Sequence, residues 1–384
     1  MPALEVAQVA QVAAMREALR AHLGRRGGWI SFDEYLEQVL YAPALGYYSA
    51  GAAKFGRAGD FTTAPEISPM FGACIARQCA SLTREGGELL ELGAGSGALA
   101  EALLLRLAAD GALPAQYLIL EVSADLRERQ RARLSCLSPA LYKRVRWLDA
   151  PPRRPLRGVI LANEVADALP FQCFEANGNG YEERGVGMDD QGRLGWAARP
   201  AAPALCAELA RLEESIARPF ASGYRSELCM RVGPWIASLA AALEVGGVLL
   251  FDYGLGRQEL YHPQRHAGTL RCHYRHRAHE DPFLHPGLQD ISAWVDFTRV
   301  AEAASAAGLE VAGYCTQAAF LLGAGIEAEL LTEGNAFERA RSATLARALL
   351  MPAQMGETFK VMLLTRGTVP KLTAFGVQDL RRML

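Results

Sequence analysis

Apolar residues recur every three to four positions from Val6 to Leu23 and again from Phe32 to Leu40, the spacing that gives a helix one apolar stripe. Ser31, with Glu34 three residues on, fits a capping box at the start of the second helix. From Tyr41 to Pro69 the period is lost, broken by Pro43, Gly46, Gly51, Gly56, Gly59 and Pro65 with aromatic residues between them. Long stretches without secondary structure are uncommon in compact domains and are often functional, so this one is expected to cover a site. Helical spacing returns over 70–82.

A strict alternation then begins. Short apolar runs at 88–92, 117–122, 145–148 and 158–162 read as strands, with helices at 97–109 and 126–134 between them. Strands alternating with helices imply βαβ units around a parallel sheet covered on both faces, and right-handed crossovers make that sheet doubly wound. After Pro170 the pattern changes to a β-meander, 172–176, 181–188 and 193–197, joined by Gly- and Asn/Asp-rich turns. A helix at 205–217, a loop at 222–227 and a helix at 228–243 follow, with Gly246-Gly247 read as its cap before a strand at 248–252. Residues 254–290 are polar, rich in His and Arg, and without period. A helix at 297–307 and strands at 311–315 and 358–364 complete the reading.

The expected architecture is therefore α/β. A doubly wound, mostly parallel Rossmann-like sheet (83–170 and 228–366) carries an N-terminal helical segment with an active-site loop (1–82) and an inserted antiparallel β-meander plus helix (171–227). A chain of 384 residues buries roughly 75% of its unfolded surface and needs no staple. The formal charge is −2 with both signs interspersed, which excludes a basic field for nucleic acid. No apolar run reaches the 18 residues that suggest a membrane span. The eight cysteines are scattered without a Cys-x-x-Cys pair, which points to a reducing compartment, and the cytosol is expected. The N-terminus has no signal-peptide pattern, and its acidic residues argue against a transit peptide.

The chemistry concentrates where the first strand ends. Glu91-Leu92 leads into Gly93, Gly95 and Gly97 at alternate positions and then directly into a helix. Glycine there permits a sharp turn and lets backbone approach a ligand that a Cβ would exclude. Two ligand classes use such a turn, and a tight βα connection with no ligand at all also has this form. Dinucleotides want G-x-G-x-x-G; here the third glycine comes one residue early, which suits S-adenosylmethionine. Glu121, 24 residues beyond Gly97 at the end of the second strand, can accept both ribose hydroxyls, or simply cap the next helix. Asp149 after the third strand is placed near the adenine. Strand four ends in Asn163, Glu164 and Asp167, on the rim where open α/β sheets bind ligands; the same residues would also serve as a polar turn capping the next helix. The six histidines between His262 and His285 fit no metal-ligand spacing, and arginines interleave them. No metal is expected.

These segments resemble one family. YAPALGYY (Tyr41–Tyr48), GDFTTAPE (Gly59–Glu66), ELGAGSG (Glu91–Gly97), NEVADALP (Asn163–Pro170), DYG (Asp252–Gly254), DISAWVDF (Asp290–Phe297), Thr316-Gln317 with Phe320-Leu321, and MGETFK (Met355–Lys360) are similar, in this order, to the MidA (DUF185) proteins. The likeness spans about 30–364. Trp294 stands where the family block has His, so no role of that His transfers. The resemblance implies a class I S-adenosylmethionine-dependent methyltransferase. Mitochondrial relatives are protein arginine methyltransferases acting on a respiratory complex I subunit, which implies a protein acceptor of that type and allows a homodimer. Arginine suits carboxylates that hold a guanidinium through paired hydrogen bonds. Glu164 and Asp167 are the candidates, with Glu227 third. Glu91, Gly93, Gly95, Gly97, Glu121, Asp149 and Asn163 are assigned to the cofactor, and Asp60, Thr62 and Thr63 to a loop closing over it. The alternatives are a small-molecule methyltransferase and an assembly chaperone that binds the cofactor without catalysis.

Overall fold

A computed structural model describes residues 4–49, 63–83, 86–330 and 335–384. Its centre is a sheet of seven main strands: β1 (Glu88–Leu92), β2 (Tyr117–Leu120), β3 (Val145–Leu148), β4 (Leu156–Asn163), β5 (Leu243–Leu255), β6 (Glu310–Thr316) and β7 (Phe359–Arg366). They lie in the order β3-β2-β1-β4-β5-β7-β6, and a two-residue strand, Val295–Asp296, pairs with the far end of β5. All neighbours are parallel except those of β7, which runs antiparallel to both β5 and β6. The strand order reverses between β1 and β4, and the crevice beyond their carboxyl ends is where such a sheet receives ligands.

The apolar runs in the middle of the sheet have a simple cause. Side chains alternate between faces along a strand. Val159 and Leu161 of β4, Leu249 and Phe251 of β5, and Val361 and Leu363 of β7 join one core, under helices Pro69–Leu82, Ala98–Ala109 and Gln317–Gly323. Ile160, Ala162, Val248, Leu250, Met362 and Leu364 join the other, under helices Val232–Ala242 and Phe297–Ala306. A strand buried on both faces reads as a nearly continuous apolar run.

Gly246 is not a helix cap. The helix before it ends at Ala242, and β5 starts at Leu243 and runs straight through both glycines. Gly246 has φ +138°, and a Cβ on it would stand 1.9 Å from the carbonyl oxygen of Gly158; one on Gly158 would stand 2.1 Å from that of Glu88. These glycines let three central strands approach at their amino ends. The Ser31 capping box is also absent. Ser31 precedes helix Phe32–Tyr41, but its hydroxyl donates to Asp33 at 2.6 Å, and Glu34 pairs with Arg26 instead.

The meander forms as expected, but its sheet has five strands. Trp29–Ile30 from the N-terminal segment adds to Tyr181–Met188, and Arg225–Leu228, read above as loop, adds to Gln172–Ala176. Four residues are too few to display an alternation. The apolar stripe of helix Val6–Arg25 (Met15, Leu19, Leu23) and helix Phe32–Tyr41 pack on this sheet through Phe171, Cys173 and Val186. The aperiodic 254–290 stretch holds a further small sheet, Asp290–Ser292 and Arg277–His279 flanking Arg271–Tyr274. Helices at Ile326–Leu330 and Ala336–Leu350 went unread. Among the described residues no helix is long and apolar enough to cross a membrane.

Candidate active site

β1 delivers the chain into the crevice at Gly93, and the three glycines do what their spacing suggests. Gly93, Gly95 and Gly97 have φ of +59°, +53° and +82°, the left-handed region that L side chains enter at a cost. The space above Gly93 is open: a Cβ there would meet only a Val165 methyl, at 3.7 Å. Gly97 starts helix Ala98–Ala109 from this conformation. Ser96 steadies the turn, donating to Glu66 and accepting from Arg133 at 3.1 Å.

Above the turn lies a cavity of about 600 Å³. Glu91, Gly93, Gly95, Glu121, Asn163 and Thr63 all border it. Glu121 is buried at the tip of β2 and accepts from the Ser123 amide at 2.9 Å and from Gln130 at 3.1 Å. Glu91 is buried beneath it and accepts from the Tyr117 hydroxyl at 2.6 Å; burial pushes its carboxyl up to about 7 against that bond. Gly97 sits just behind the lining, against Gln130.

Asp149 is elsewhere. Its side chain is 91% exposed and paired with Arg127, whose guanidinium holds it below the ordinary carboxylate range. Arg127 also donates to the backbone oxygens of Glu121 and Leu148, so Asp149 ties the outside of β2 and β3 together. Asp60 and Thr62 lie outside the described residues; Thr63, Pro65 and Glu66, which follow them, line the cavity.

The other end of the cavity is acidic and aromatic. β4 runs out into Glu164, which takes φ +54° and donates its amide to the carbonyl of Phe251 at 2.8 Å. This turn is fastened by Asp252, whose carboxylate accepts from the amides of Ala166, Asp167 and Tyr253 at 2.9, 3.2 and 3.0 Å. Asp252 does not border the cavity; it is a brace. Glu164 opens onto the cavity, but protein surrounds it. Burial and then the charge of Asp167 push its carboxyl up to about 8, against hydrogen bonds from Asn163 and the Ala64 amide. Burial and then Asp290 raise Asp167 as well, and the Tyr253 hydroxyl opposes them by donating to its Oδ2 at 2.5 Å. The Asp167 and Ala168 amides oppose the rise as well, and Oδ1 of Asp167 is buried with no well-formed hydrogen bond from the described residues. None of the described Lys or Arg side chains pairs with Glu164 or Asp167.

Glu227 does not join them. Its carboxylate accepts from the Thr269 amide and hydroxyl at 2.8 and 3.0 Å and from the Leu270 amide at 3.3 Å, outside the cavity lining. Gly268 is required by this contact, since a Cβ would stand 2.2 Å from Glu227 Oε1. Glu227 holds the loop that leads into the small sheet.

Several lining residues were missed. Asp290 accepts from the Tyr48 hydroxyl at 2.8 Å, and Tyr41, Tyr253 and Trp294 complete the walls. Tyr41 donates to the carbonyl of Ala168 at 2.6 Å and so ties the N-terminal segment to the Glu164 turn. The family blocks at 41–48 and 290–297 were the available signal. Among the histidines from 262 to 285, His273 alone borders the cavity, and no described group of His, Cys, Asp and Glu is arranged to hold a metal.

Comparison with known proteins agrees with this geometry. The chain is 42% identical to a COG1565 superfamily protein from Burkholderia thailandensis solved with S-adenosyl-homocysteine bound, each chain fully covered, with a TM-score of 0.94. The native crystal structure from the same organism gives 41% and 0.91. Curated relatives named mitochondrial protein arginine methyltransferase NDUFAF7 are 29% identical in Danio rerio (87% of this chain, 82% of that protein) and 30% in Mus musculus (86% and 80%). These names overturn the cytosolic expectation. Reduced cysteines argue against an oxidising compartment and do not distinguish the cytosol from other reducing ones. A family model described as "Putative S-adenosyl-L-methionine-dependent methyltransferase" matches residues 70–315, which carry both the glycine turn and the Glu164 turn. The chain belongs to this family, and it is an S-adenosyl-L-methionine-dependent methyltransferase.

Proposed function

We propose that the acceptor is an arginine side chain of a protein. The observation that carries this reading is the buried Oδ1 of Asp167, unpartnered among the described residues, beside Glu164 in the cavity that the glycine turn also borders. A buried carboxylate oxygen without a donor is costly, and a cation with fixed N–H groups relieves it. A guanidinium supplies parallel N–H groups and stays charged where an ammonium can lose its proton. Tyr41, Tyr48 and Trp294 add aromatic surface against which a planar cation packs.

S-adenosyl-L-methionine supplies an electrophilic methyl on a sulfonium when bound. Gly93 and Gly95 would admit its amino-acid end, Glu91 and Asn163 would border that end, and Glu121 would take the ribose hydroxyls. Glu164 and Asp167 hold the guanidinium so that one nitrogen faces the methyl, and Asp290 closes the far side. Glu164, ionised by the cation it holds, then takes up the proton the nitrogen sheds. The work divides along the chain: the sheet provides the cofactor side, and the N-terminal segment and small sheet provide the acceptor wall.

Curated relatives bear the protein arginine methyltransferase name, and the family likeness extends the reading to a respiratory-complex subunit as the polypeptide and allows a homodimer. The test uses methyl-labelled cofactor in a mitochondrial or bacterial lysate, with hydrolysis and chromatography of the labelled material and sedimentation of the enzyme. Label in methylarginine supports the proposal. Label in methyl-lysine or in small molecules refutes it, and cofactor binding without label in any fraction favours the chaperone reading.

A further inference from the structure

The cofactor side of the cavity has a keystone outside the lining. Gln130, on helix Ala124–Leu134, is fully buried. Its Nε2 donates to the carbonyl of Gly95 at 2.9 Å and to Oε2 of Glu121 at 3.1 Å, while its Oε1 accepts from the indole N–H of Trp147 on β3 at 2.9 Å. The partners fix which end of the amide is which, because two are pure acceptors and one is a pure donor. Both N–H groups are used. Gly97 packs against this helix, where a Cβ would be in ordinary contact with the Cα of Gln130 at 3.5 Å, so its φ of +82° and not lack of space calls for glycine there.

We propose that Gln130 is a positioning residue for the cofactor, setting the glycine turn and Glu121 in one fixed relation. The physical case rests on what each partner needs. Gly95 lies in the middle of a turn whose three glycines all have positive φ, a conformation with little intrinsic preference to persist, and a hydrogen bond to its carbonyl selects one orientation of the neighbouring peptide. Glu121 has two equivalent oxygens and a side chain with three torsions. Ser123 holds one oxygen and Gln130 the other, so the carboxylate meets a ribose in a preset plane. A single carboxamide therefore couples the loop that receives the amino-acid end to the acid that receives the sugar. Trp147 keeps the carboxamide from turning over, and the Arg131 guanidinium, 5.2 Å over its ring, restrains the indole in turn.

The helix containing Gln130 reads as charged and weakly apolar, with arginines at 127, 129, 131 and 133, and nothing in its pattern singles out one glutamine. Its role depends on the register that brings helix, turn and strand end together.

The test is calorimetric titration of S-adenosylhomocysteine, with thermal unfolding alongside. Gln130→Leu keeps the volume and removes both donors; loss of a hydrogen bond to a charged group predicts affinity lower by roughly 10- to 100-fold. Trp147→Phe, which frees the carboxamide to rotate, should lose less, about threefold to tenfold. Gln130→Glu supplies a reading that a merely structural role would not give. Ionised, the new carboxylate faces Glu121 and donates nothing; protonated, it can donate one bond again, so its affinity relative to wild type should recover as pH falls from 8 to 6. The proposal is overturned if Gln130→Leu binds within twofold of wild type while Glu121→Gln is weakened, since the site is then right and the keystone wrong. If Gln130→Leu does not fold, a flat pH profile for Gln130→Glu overturns it equally, and a recovering one supports it.

Discussion

Glu164→Gln should make this protein more stable and almost inactive. The substitution keeps shape and polarity, and the φ of +54° is no harder for Gln than for Glu. What changes is the charge. The Glu164 carboxyl moves from an ordinary 4.5 to about 8 in the folded chain, so folding binds a proton between those values. An acid with a raised folded pKa leaves the native state holding more protons than the unfolded one, and stability falls as pH rises through that window. The full span corresponds to about 4–5 kcal/mol once the pH passes 8. Gln carries no such penalty. The variant should therefore match wild type near pH 4.5, gain steadily above it, and lead by several degrees in melting temperature at pH 8. Methyl transfer should fall by about 100-fold, because an acceptor that is not held rarely reaches an in-line geometry. S-adenosylhomocysteine affinity should stay within twofold. Urea or thermal unfolding at pH 5, 6, 7 and 8 tests the first half without any acceptor. A stability difference that is flat over that range, or that favours wild type at pH 8, refutes the electrostatic account; normal turnover refutes the role.

Tyr253→Phe removes the hydroxyl that opposes the rise of Asp167, so that carboxyl climbs further, and the acid limb of kcat/KM for an arginine peptide should move up by about one pH unit; an unmoved limb shows that Asp167 does not govern acceptor capture. Gly95→Val places a branched side chain at φ +53°, costing about 1–2 kcal/mol of a total near 5–15, so the protein should fold but lose S-adenosylhomocysteine binding by calorimetry. Normal affinity would take Gly95 off the cofactor wall. Glu227→Gln should lower the melting temperature, with about 1–3 kcal/mol lost at Thr269 and Leu270, and leave cofactor affinity unchanged. A selective loss of binding without destabilisation would return Glu227 to the site.

The sheet was readable because its chemistry is local. Leu89-Leu90, Val159 to Ala162 and Val248 to Phe251 are apolar at every position, and only a strand covered on both sides tolerates that. The glycine turn was readable for the same reason: strand, turn and helix are consecutive, and a ligand-binding backbone needs particular φ values. Acids at strand ends were less so, because position alone does not say which way a side chain leaves. Glu121 turns inward to Gln130, whereas Asp149 turns outward to Arg127. Glu227 shows the same ambiguity, since a carboxylate can hold a ligand or hold a loop, and the donors that decide it, Thr269 and Leu270, are more than 40 residues away in sequence. The acceptor wall was the least visible part. Tyr48 and Asp290 meet across 242 residues, and Tyr253 and Asp167 across 86, so no window of sequence contains either pair.

The two ends of the cavity handle negative charge differently, and on the proposed function the difference follows from what each would receive. On the cofactor side, fixed neutral donors partner the carboxylates: Tyr117 for Glu91, the Ser123 amide and Gln130 for Glu121. Those bonds hold the acids still, which suits a ligand bound in one pose at every turnover. On the proposed acceptor side, Tyr253 occupies one oxygen of Asp167 and the other has no donor among the described residues, while burial raises Glu164 to about 8. The cost of that arrangement falls on the free protein. It is relieved when a cation enters, ionises Glu164 and supplies the missing N–H groups, so part of the acceptor's binding energy comes from ending an existing strain. Selectivity follows. A neutral side chain of the same size gains none of this relief and leaves the carboxyls protonated. An ammonium gains the charge but has only three donors on one atom to meet oxygens on separate residues. A guanidinium would reach them from several nitrogens at once, and the donors already on each carboxylate, Tyr253 on Asp167 and Asn163 on Glu164, would turn a general attraction for cations into a preference for that shape.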